Sequence, residues 1–295
     1  MIFDTFIYSG EKAILIARIN QLNPFVDFFV IVESSVTFSG RTREIDEDFQ
    51  NQVMSEFGNK VCWIVLEDLS GENAWQREAF QRQSIHKGLS DIQREDIVLL
   101  SDVDEIPSKE FLSRIHDLAP EDVLIAQMKL LRYCTHMESI ENWHGTIAFR
   151  FNEKLPDFQV LRMRVVQYWL ENKSCIFVNG GIHFTAFMRP RQFRDKIKSF
   201  SHTELDSYPF NTLSFLYLIQ KLGISIDGSE ILNLNRNLEL SNNITKCRSK
   251  HKYNYLRLKL AKLLQPFITK IFEKRVKKLS SPDETVDWVG IKPVT

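Results

Sequence analysis

The stretch Ile97-Val98-Leu99-Leu100-Ser101-Asp102-Val103-Asp104-Glu105-Ile106-Pro107 decides how this chain can fold. Four consecutive aliphatic residues closed by a polar turn are typical of a strand buried in a mostly parallel sheet. Such a strand delivers the following residues to the edge where α/β proteins bind ligands. Asp102 and Asp104 would face the same way there if the backbone stayed extended. Their oxygens suit Mn²⁺ or Mg²⁺, and open coordination positions would let the cation hold substrate phosphates.

The Asp-x-Asp pair also has a purely structural interpretation. Aspartates are common in turns, where their side chains hydrogen-bond to the local backbone. The pair alone does not decide between a metal site and a turn, so the rest of the chain has to do so.

Bulk composition fits a globular α/β protein of one large or two smaller domains. The chain has 295 residues, of which 43% are hydrophobic and 26% are charged. The first residues do not resemble a signal peptide, and no apolar run approaches the roughly 20 residues that span a bilayer. The cysteines are far apart without a Cys-x-x-Cys pair, so we expect buried thiols in a reducing compartment. These features favour a cytoplasmic protein.

Charge is distributed unevenly although the formal net charge is +0. Residues 246–279 contain twelve Lys or Arg residues and one acid, Glu273, whereas residues 1–245 are acidic overall. We therefore divide the chain into a body, residues 1–245, and a basic helical extension, residues 246–295. A basic segment on an acidic body favours contact with an anionic partner.

Apolar periodicity predicts alternating strands and helices in the first half of the chain. Strands are expected over 1–6, 28–32, 61–66, 97–100 and 123–126, and helices over 11–22 and 73–89 and after Pro107-Ser108. This order implies parallel β-α-β units. In the second half, strands are predicted over 143–151, 159–170 and 175–178, and helices over 191–200, 213–222 and 253–279. Asn179-Gly180-Gly181 is expected to break the chain, and Pro266 to kink or divide the last helix.

Several blocks of sequence together resemble glycosyltransferase family 17. In chain order they are Phe3-Asp4-Thr5-Phe6, the segment 22–34, Trp75-Gln76-Arg77-Glu78, the segment 101–107, Gly180-Gly181-Ile182-His183-Phe184 and the segment 199–204. The resemblance covers roughly residues 1–210. The chain differs from the family at Ile182, where Trp is usual.

This resemblance implies a GT-A-like, Rossmann-type mixed sheet flanked by helices. The basic amphipathic helix at the C-terminal end follows from the charge and apolar spacing of residues 253–279. It also implies an inverting transferase that uses a UDP-sugar, UDP-GlcNAc by default, and a divalent metal, Mn²⁺ or Mg²⁺. The acceptor would be a glycan or a lipid-linked saccharide. Asp102, Asp104 and His183 would be the metal ligands, directly or through water, and a core or turn histidine is the alternative for His183.

Other residues are assigned to the donor nucleotide. Arg77 and Arg82 lie on a predicted helix and can pair with phosphate, although surface salt bridges would explain them equally well. Asp4 and Glu33 lie on or at the end of predicted strands, where a uridine or ribose hydroxyl could be held, and a simple strand-terminating acid is the alternative. His202 could touch the diphosphate.

An inverting transferase needs a base for the acceptor hydroxyl. Glu204 is the first candidate because it follows the histidine-bearing block. Glu105 and Glu138 are the other candidates, and Glu105 could also support the site without touching the acceptor.

Further alternatives concern the C-terminal helix and the function of the whole chain. The C-terminal helix has apolar and basic faces, so it could lie on the inner face of a membrane or simply cover the body. The protein could be a catalytically inactive GT-A-fold protein that binds glycan or membrane. It could also be a sugar nucleotidyltransferase, but residues 1–10 lack the expected Gly-rich loop. No nucleic-acid partner is expected, because no recognised module accompanies the basic segment.

Overall fold

The first half of the chain forms the parallel part of a mixed sheet. The computed structural model describes residues 1–163, 175–234 and 251–279. Four parallel strands lie side by side in the order β3-β2-β1-β4: β1 (Ile2–Tyr8), β2 (Phe28–Ser34), β3 (Val61–Leu66) and β4 (Ile97–Asp102). The four strands expected there are confirmed.

Helices connect these strands. They are α1 (Lys12–Leu22), α2 (Glu47–Phe57) and α3 (Ala74–Gln83), the last continued by a 3₁₀ turn over Ser84–Gly88. Asp46 begins α2, because its side chain accepts a hydrogen bond from the Phe49 amide. Asn73 begins α3 in the same way through the Gln76 amide. Both caps satisfy amide groups that have no partner within the helix.

The second half adds the antiparallel part and the remaining helices. The sheet continues from β4 in the order β7-β6-β8-β5, with β9 paired to β7. These elements are β5 (Glu105–Pro107), α4 (Lys109–Arg114), β6 (Val123–Arg132), β7 (Met137–Arg150), α5 (Phe158–Met163), β8 (Cys175–Thr185), α6 (Pro190–Ile197), α7 (Leu213–Leu222), β9 (Asn233–Leu234) and α8 (His251–Leu279). The expected α/β class and mixed sheet are confirmed.

Strand direction brings distant segments to one side of the sheet, which we call the carboxyl edge. The strands β1, β2, β3 and β4 end there. Because β7 is antiparallel to both β4 and β6, and β8 is parallel to β6, β6 and β8 also end at this edge and β7 begins there. Residues 8, 33, 102, 143 and 183 therefore lie along one edge.

Among the described residues, the buried apolar side chains form three clusters. Alternate residues of a strand face opposite sides of the sheet, so Phe6, Ile31 and Leu99 belong to one buried cluster and Ile7 and Val32 to another. A third cluster joins α6, α7 and α8 and contains no residue of the parallel strands. The predicted boundary at 245 and 246 lies outside the described residues.

Three local expectations need correction. Residues 158–163 form α5 and not the predicted strand, because Asp157 accepts the Val160 amide and begins a helix that buries Phe158 and Leu161; residues 164–170 lie outside the described residues. The glycines at 180 and 181 do not break the chain but form a bulge within β8. Pro266 lies inside α8 and does not divide it.

Candidate active site

The two aspartates of the quoted stretch lie in different surroundings. Asp102 is the last residue of β4, and the chain turns at Val103 and Asp104 before β5 begins at Glu105. Because the backbone does not stay extended, the two carboxylates do not share one set of neighbours. Asp102 meets arginines, whereas Asp104 meets a histidine and a lysine.

Asp102 is held by two buried arginines. Arg82 on α3 donates to one carboxylate oxygen at 3.0 Å, and Arg162 on α5 donates to the other at 3.1 Å. Burial alone would raise the pKa of Asp102, but the positive charges of Arg162 and Arg82 outweigh it and hold that pKa well below its usual range. Both oxygens already accept a charge-assisted hydrogen bond. In this structure Asp102 therefore binds two arginines.

Asp104 and His183 bring one carboxylate and one imidazole together at the turn. His183 Nε2 lies 3.5 Å from one Asp104 oxygen, and Lys196 Nζ lies 4.0 Å from the other. Both distances are too long for strong hydrogen bonds. The buried Nδ1 of His183 also has no hydrogen-bond partner among the described residues. Burial opposes ionisation, but His183 and then Lys196 lower the pKa of Asp104, so its carboxylate is anionic.

These residues fit a divalent cation as a minimal, open site. In residues 1–163, 175–234 and 251–279, no group of three or more His, Cys, Asp and Glu side chains is arranged to hold a metal ion. Asp104 and His183 would provide one oxygen and one nitrogen, and substrate oxygens and water would fill the other positions. Mn²⁺ accepts both ligand types, and metals that carry nucleotide phosphates are commonly held by few protein ligands.

A fully buried arginine holds the turn at Val103 and Asp104. Arg18 on α1 binds both carboxylate oxygens of Asp4, at 2.8 and 2.5 Å, and neither side chain is exposed to solvent. The same guanidinium donates to the backbone carbonyls of Asp102, at 3.2 Å, and Glu105. The expected contact between Asp4 and the nucleotide is therefore wrong, because this carboxylate is inaccessible. Asp4 instead positions Arg18 for its hydrogen bonds to the turn.

Glu105 is also fully buried, which corrects its assignment as a base for the acceptor. Its carboxylate accepts hydrogen bonds from Trp143 Nε1 at 2.5 Å, from Arg162, and from the Asp102 amide at 3.1 Å. With these partners and no solvent access, it cannot reach an acceptor hydroxyl. The structure gives it the supporting role that was the alternative.

A cleft of about 190 Å³ opens where β1 and β2 end. Tyr8, Lys12, Glu33 and Phe49 line it, together with Gly10, Arg43, Glu44 and Asp46. Glu33 lies at its buried end and accepts hydrogen bonds from Arg43, Gln50 and Trp63 at 2.7, 2.7 and 2.9 Å. The aromatic side chains of Tyr8 and Phe49 can accept a flat base, whereas Glu33 already accepts three hydrogen bonds.

The two expected residues of the segment 199–204 lie together. His202 Nδ1 is 2.7 Å from Glu204 Oε1, and the imidazole ring packs edge-on against Trp75 at 4.9 Å. A hydrogen-bonded network connects this segment to Asp102: Ser201 donates to Glu78, Glu78 pairs with Arg82 at 2.9 Å, and Arg82 binds Asp102. The His202–Glu204 pair thus borders the carboxyl edge.

Arg77 and Glu138 take other positions. The Arg77 guanidinium donates to the carbonyls of Phe38 and Gly71 at 2.6 and 2.9 Å, so part of its donor capacity holds loops. Glu138 lies on β7 with Lys129 at 3.7 Å.

Four residues of the site were missed in the sequence: Arg18, Trp143, Arg162 and Lys196. Arg18 is the one charged residue among the buried positions of α1 and could have been noticed as a cation on an apolar helix face. No sequence pattern around Trp143 or Arg162 indicates that both side chains bind Glu105. Lys196 binds Glu11 at 3.1 Å, a contact between distant segments.

A family model, Glycosyltransferase family 17, matches residues 1–235. No curated protein matches the chain. Among the described residues, no helix is long and apolar enough to cross a bilayer.

Solved structures of low sequence identity match as well. The mannosyltransferase PcManGT from Pyrobaculum calidifontis, in complex with GDP-Man and Mn²⁺, matches with 9% identity and a TM-score of 0.42, over 93% of this chain and 84% of that chain. HddC from Yersinia pseudotuberculosis, complexed with GMP-PN, matches with 10% identity and a TM-score of 0.36, over 66% and 97%. The inositol-1-phosphate CTP transferase from T. maritima matches with 11% identity and a TM-score of 0.35, over 67% and 94%.

Proposed function

Because the chain belongs to glycosyltransferase family 17, we propose that it transfers a sugar from a UDP-sugar to a hydroxyl group of a glycan or a lipid-linked saccharide, with inversion and with a divalent cation. The observation that carries this proposal is the pair Asp104 and His183 at the carboxyl edge. UDP-GlcNAc is the donor that family membership favours.

Two parts of the donor, the nucleoside and the diphosphate, have a matching surface. The cleft that contains Tyr8 and Glu33 suits the nucleoside, because the aromatic side chains of Tyr8 and Phe49 line it. The diphosphate would lie at Asp104, where Lys196 adds a cation from α6. Burial disfavours the charged amine, but Glu11 and Asp104 outweigh it and raise the pKa of Lys196, so this side chain stays positive at neutral pH.

A divalent cation bound at Asp104 and His183 would supply charge neutralisation for the departing diphosphate. The remaining task for the protein is removal of the acceptor proton. Glu204 is the proposed base or holds His202 as the base, since the two side chains share a hydrogen bond of 2.7 Å at the carboxyl edge.

Calorimetric titration with UDP-GlcNAc, with and without Mn²⁺, tests the donor site. We expect Mn²⁺-dependent binding by the wild type, and at least about a tenfold loss in Asp104→Asn and in His183→Gln, because each removes one ligand. Asp117→Asn is the matched control, since Asp117 is exposed and lies before β6 at the opposite edge of the sheet. Binding that does not depend on Mn²⁺ or on these residues would refute the cation site.

Turnover separates a transferase from an inactive binding protein. In Glu204→Gln we expect Mn²⁺-dependent binding to persist while UDP release from UDP-GlcNAc, with water or added saccharides as acceptors, slows about 100-fold. Wild-type binding without turnover on a broad acceptor panel would instead favour the inactive protein.

The proposed site of membrane contact is the exposed apolar stripe of α8. Leu260, Leu263, Phe267 and Ile271 recur along this stripe and are 43–63% exposed. Four exposed lysines accompany them: Lys259, Lys262, Lys270 and Lys274. An apolar stripe beside lysines suits the interface of an anionic membrane, where a lipid-linked acceptor would be presented.

A further inference from the structure

Trp143 is an exposed aromatic side chain that is held in one orientation beside the cation site. Trp143 belongs to β7 and is 38% exposed. The indole N–H donates to the buried Glu105 at 2.5 Å, and the ring lies 4.8 Å from the His183 ring. The Arg162 guanidinium lies 5.9 Å from the indole ring. Single exposed aromatics are ordinary on protein surfaces, but this one is fixed by three polar groups of the site.

In the sheet order, the strand of Trp143 lies on the far side of β4 from the nucleoside cleft. The cleft lies at the ends of β1 and β2, Asp102 ends β4, and β7 is the next strand along the sheet. A nucleotide sugar is connected in the order base, ribose, diphosphate and sugar. With the base in the cleft and the diphosphate at Asp104, which lies against His183 of β8, the sugar would lie near Trp143, whose ring is 4.8 Å from the His183 ring.

The exposed ring has the right chemistry for that sugar. One face of a pyranose carries mainly C–H groups, which pack on an aromatic ring, while its hydroxyl groups lie around the rim. An indole presents a large apolar surface at a low cost in conformational freedom, and here its polar N–H is already satisfied by Glu105.

We propose that Trp143 is the platform on which the pyranose of the nucleotide-sugar donor stacks. This inference rests on the proposed function, since it requires a nucleotide sugar at the carboxyl edge. It assigns to Trp143 recognition of the sugar ring and not of the nucleotide.

Parallel titrations with UDP-GlcNAc and UDP, both with Mn²⁺, test the platform. In Trp143→Ala we expect the affinity for UDP-GlcNAc to fall about tenfold, which is the size of an aromatic stacking contribution, and the affinity for UDP to stay unchanged. Trp143→Phe keeps an aromatic face without the N–H group, and should stay within about threefold of the wild type for both ligands.

The control variant is Tyr217→Ala, which removes a 59% exposed aromatic side chain from α7 and should change neither affinity. Equal losses for UDP and UDP-GlcNAc in Trp143→Ala would overturn the platform, because the indole would then only support Glu105 and Arg162. Unchanged affinity for both ligands would overturn it too, while leaving the proposed function intact. If the wild type binds neither nucleotide, both proposals fall.

Discussion

At the scale of single residues, buried charge determines the shape of the site. Arg18 is surrounded by protein, and its guanidinium connects Asp4 to the carbonyl oxygens on both sides of the turn that carries Asp104. A buried ion pair contributes little net stability, but the loss of one partner leaves an uncompensated charge. Arg18 therefore holds the turn in place, and its removal should lower the stability of the protein strongly.

The substitution Arg18→Met tests this role. We expect it to lower the free energy of unfolding by about 3–5 kcal/mol, because Asp4 is left buried without its partner. The double variant Asp4→Leu with Arg18→Met should recover part of that loss, since no unpaired charge remains. Urea denaturation of the wild type and both variants measures the two differences. A loss below about 1 kcal/mol in Arg18→Met would contradict the assignment.

At the scale of elements, the bulge in β8 determines where His183 lies. Gln127 pairs with Asn179 and Lys129 with Ile182, so β8 carries one residue more than β6 between these pairs. An extra residue reverses which side chains face each side of the strand. The bulge therefore sets the register in which His183 pairs with Glu105.

Gly181 makes this bulge possible. Its φ is +136°, and a Cβ there would lie 2.3 Å from the carbonyl oxygen of Ile106. We expect Gly181→Ala to lower the free energy of unfolding by about 3 kcal/mol, because it combines backbone strain with a clash.

Gly58→Ala is the matched control for Gly181→Ala. Gly58 also has a positive φ, +60°, but a Cβ there would meet no atom within 4 Å, so its expected cost is about 1 kcal/mol. Chemical denaturation distinguishes the two variants. Equal losses would mean that the contact with Ile106 is unimportant.

At the scale of the whole molecule, the C-terminal helix is attached through one face and exposed through another. Ala261 and Ile268 are buried in the cluster shared with α6 and α7. Arg257 strengthens this attachment by donating to the carbonyls of Leu222 and Leu232, at 2.7 and 3.2 Å. Because α8 is docked in this way, the apolar stripe around Leu263 and Phe267 is presented to the surroundings in a fixed orientation.

Cosedimentation with vesicles tests that stripe. We expect binding to vesicles rich in phosphatidylglycerol, weak binding to phosphatidylcholine, and loss of binding at high salt, because the lysines of α8 act through screened charge. Leu263→Ser with Phe267→Ser should abolish binding without unfolding the protein, since both side chains are more than 60% exposed. Met54→Ser, at an exposed position of α2, should bind like the wild type. Equal binding to both vesicle types would refute an anionic surface as the partner.

The sequence by itself determined the parallel strands and the family. The run 97–100 predicts β4, which is confirmed, because an apolar run with a polar end favours a buried strand whatever the rest of the chain does. The match over residues 1–235 agrees with the resemblance found in the short motifs. The prediction of a strand over 159–170 was wrong at residues 159–163, because a helical cap at Asp157 outweighed a short apolar pattern.

Only the tertiary structure decided which charges meet. Asp102 pairs with Arg162, which is 60 residues away, and its carbonyl with Arg18, 84 residues away. Local propensity contains no information about such pairs, since they depend on sheet order and on the bulge that sets the register of β8. For that reason the sequence could group Asp102, Asp104 and His183 together, whereas the fold separates Asp102, which pairs with arginines, from Asp104, which faces His183 and Lys196.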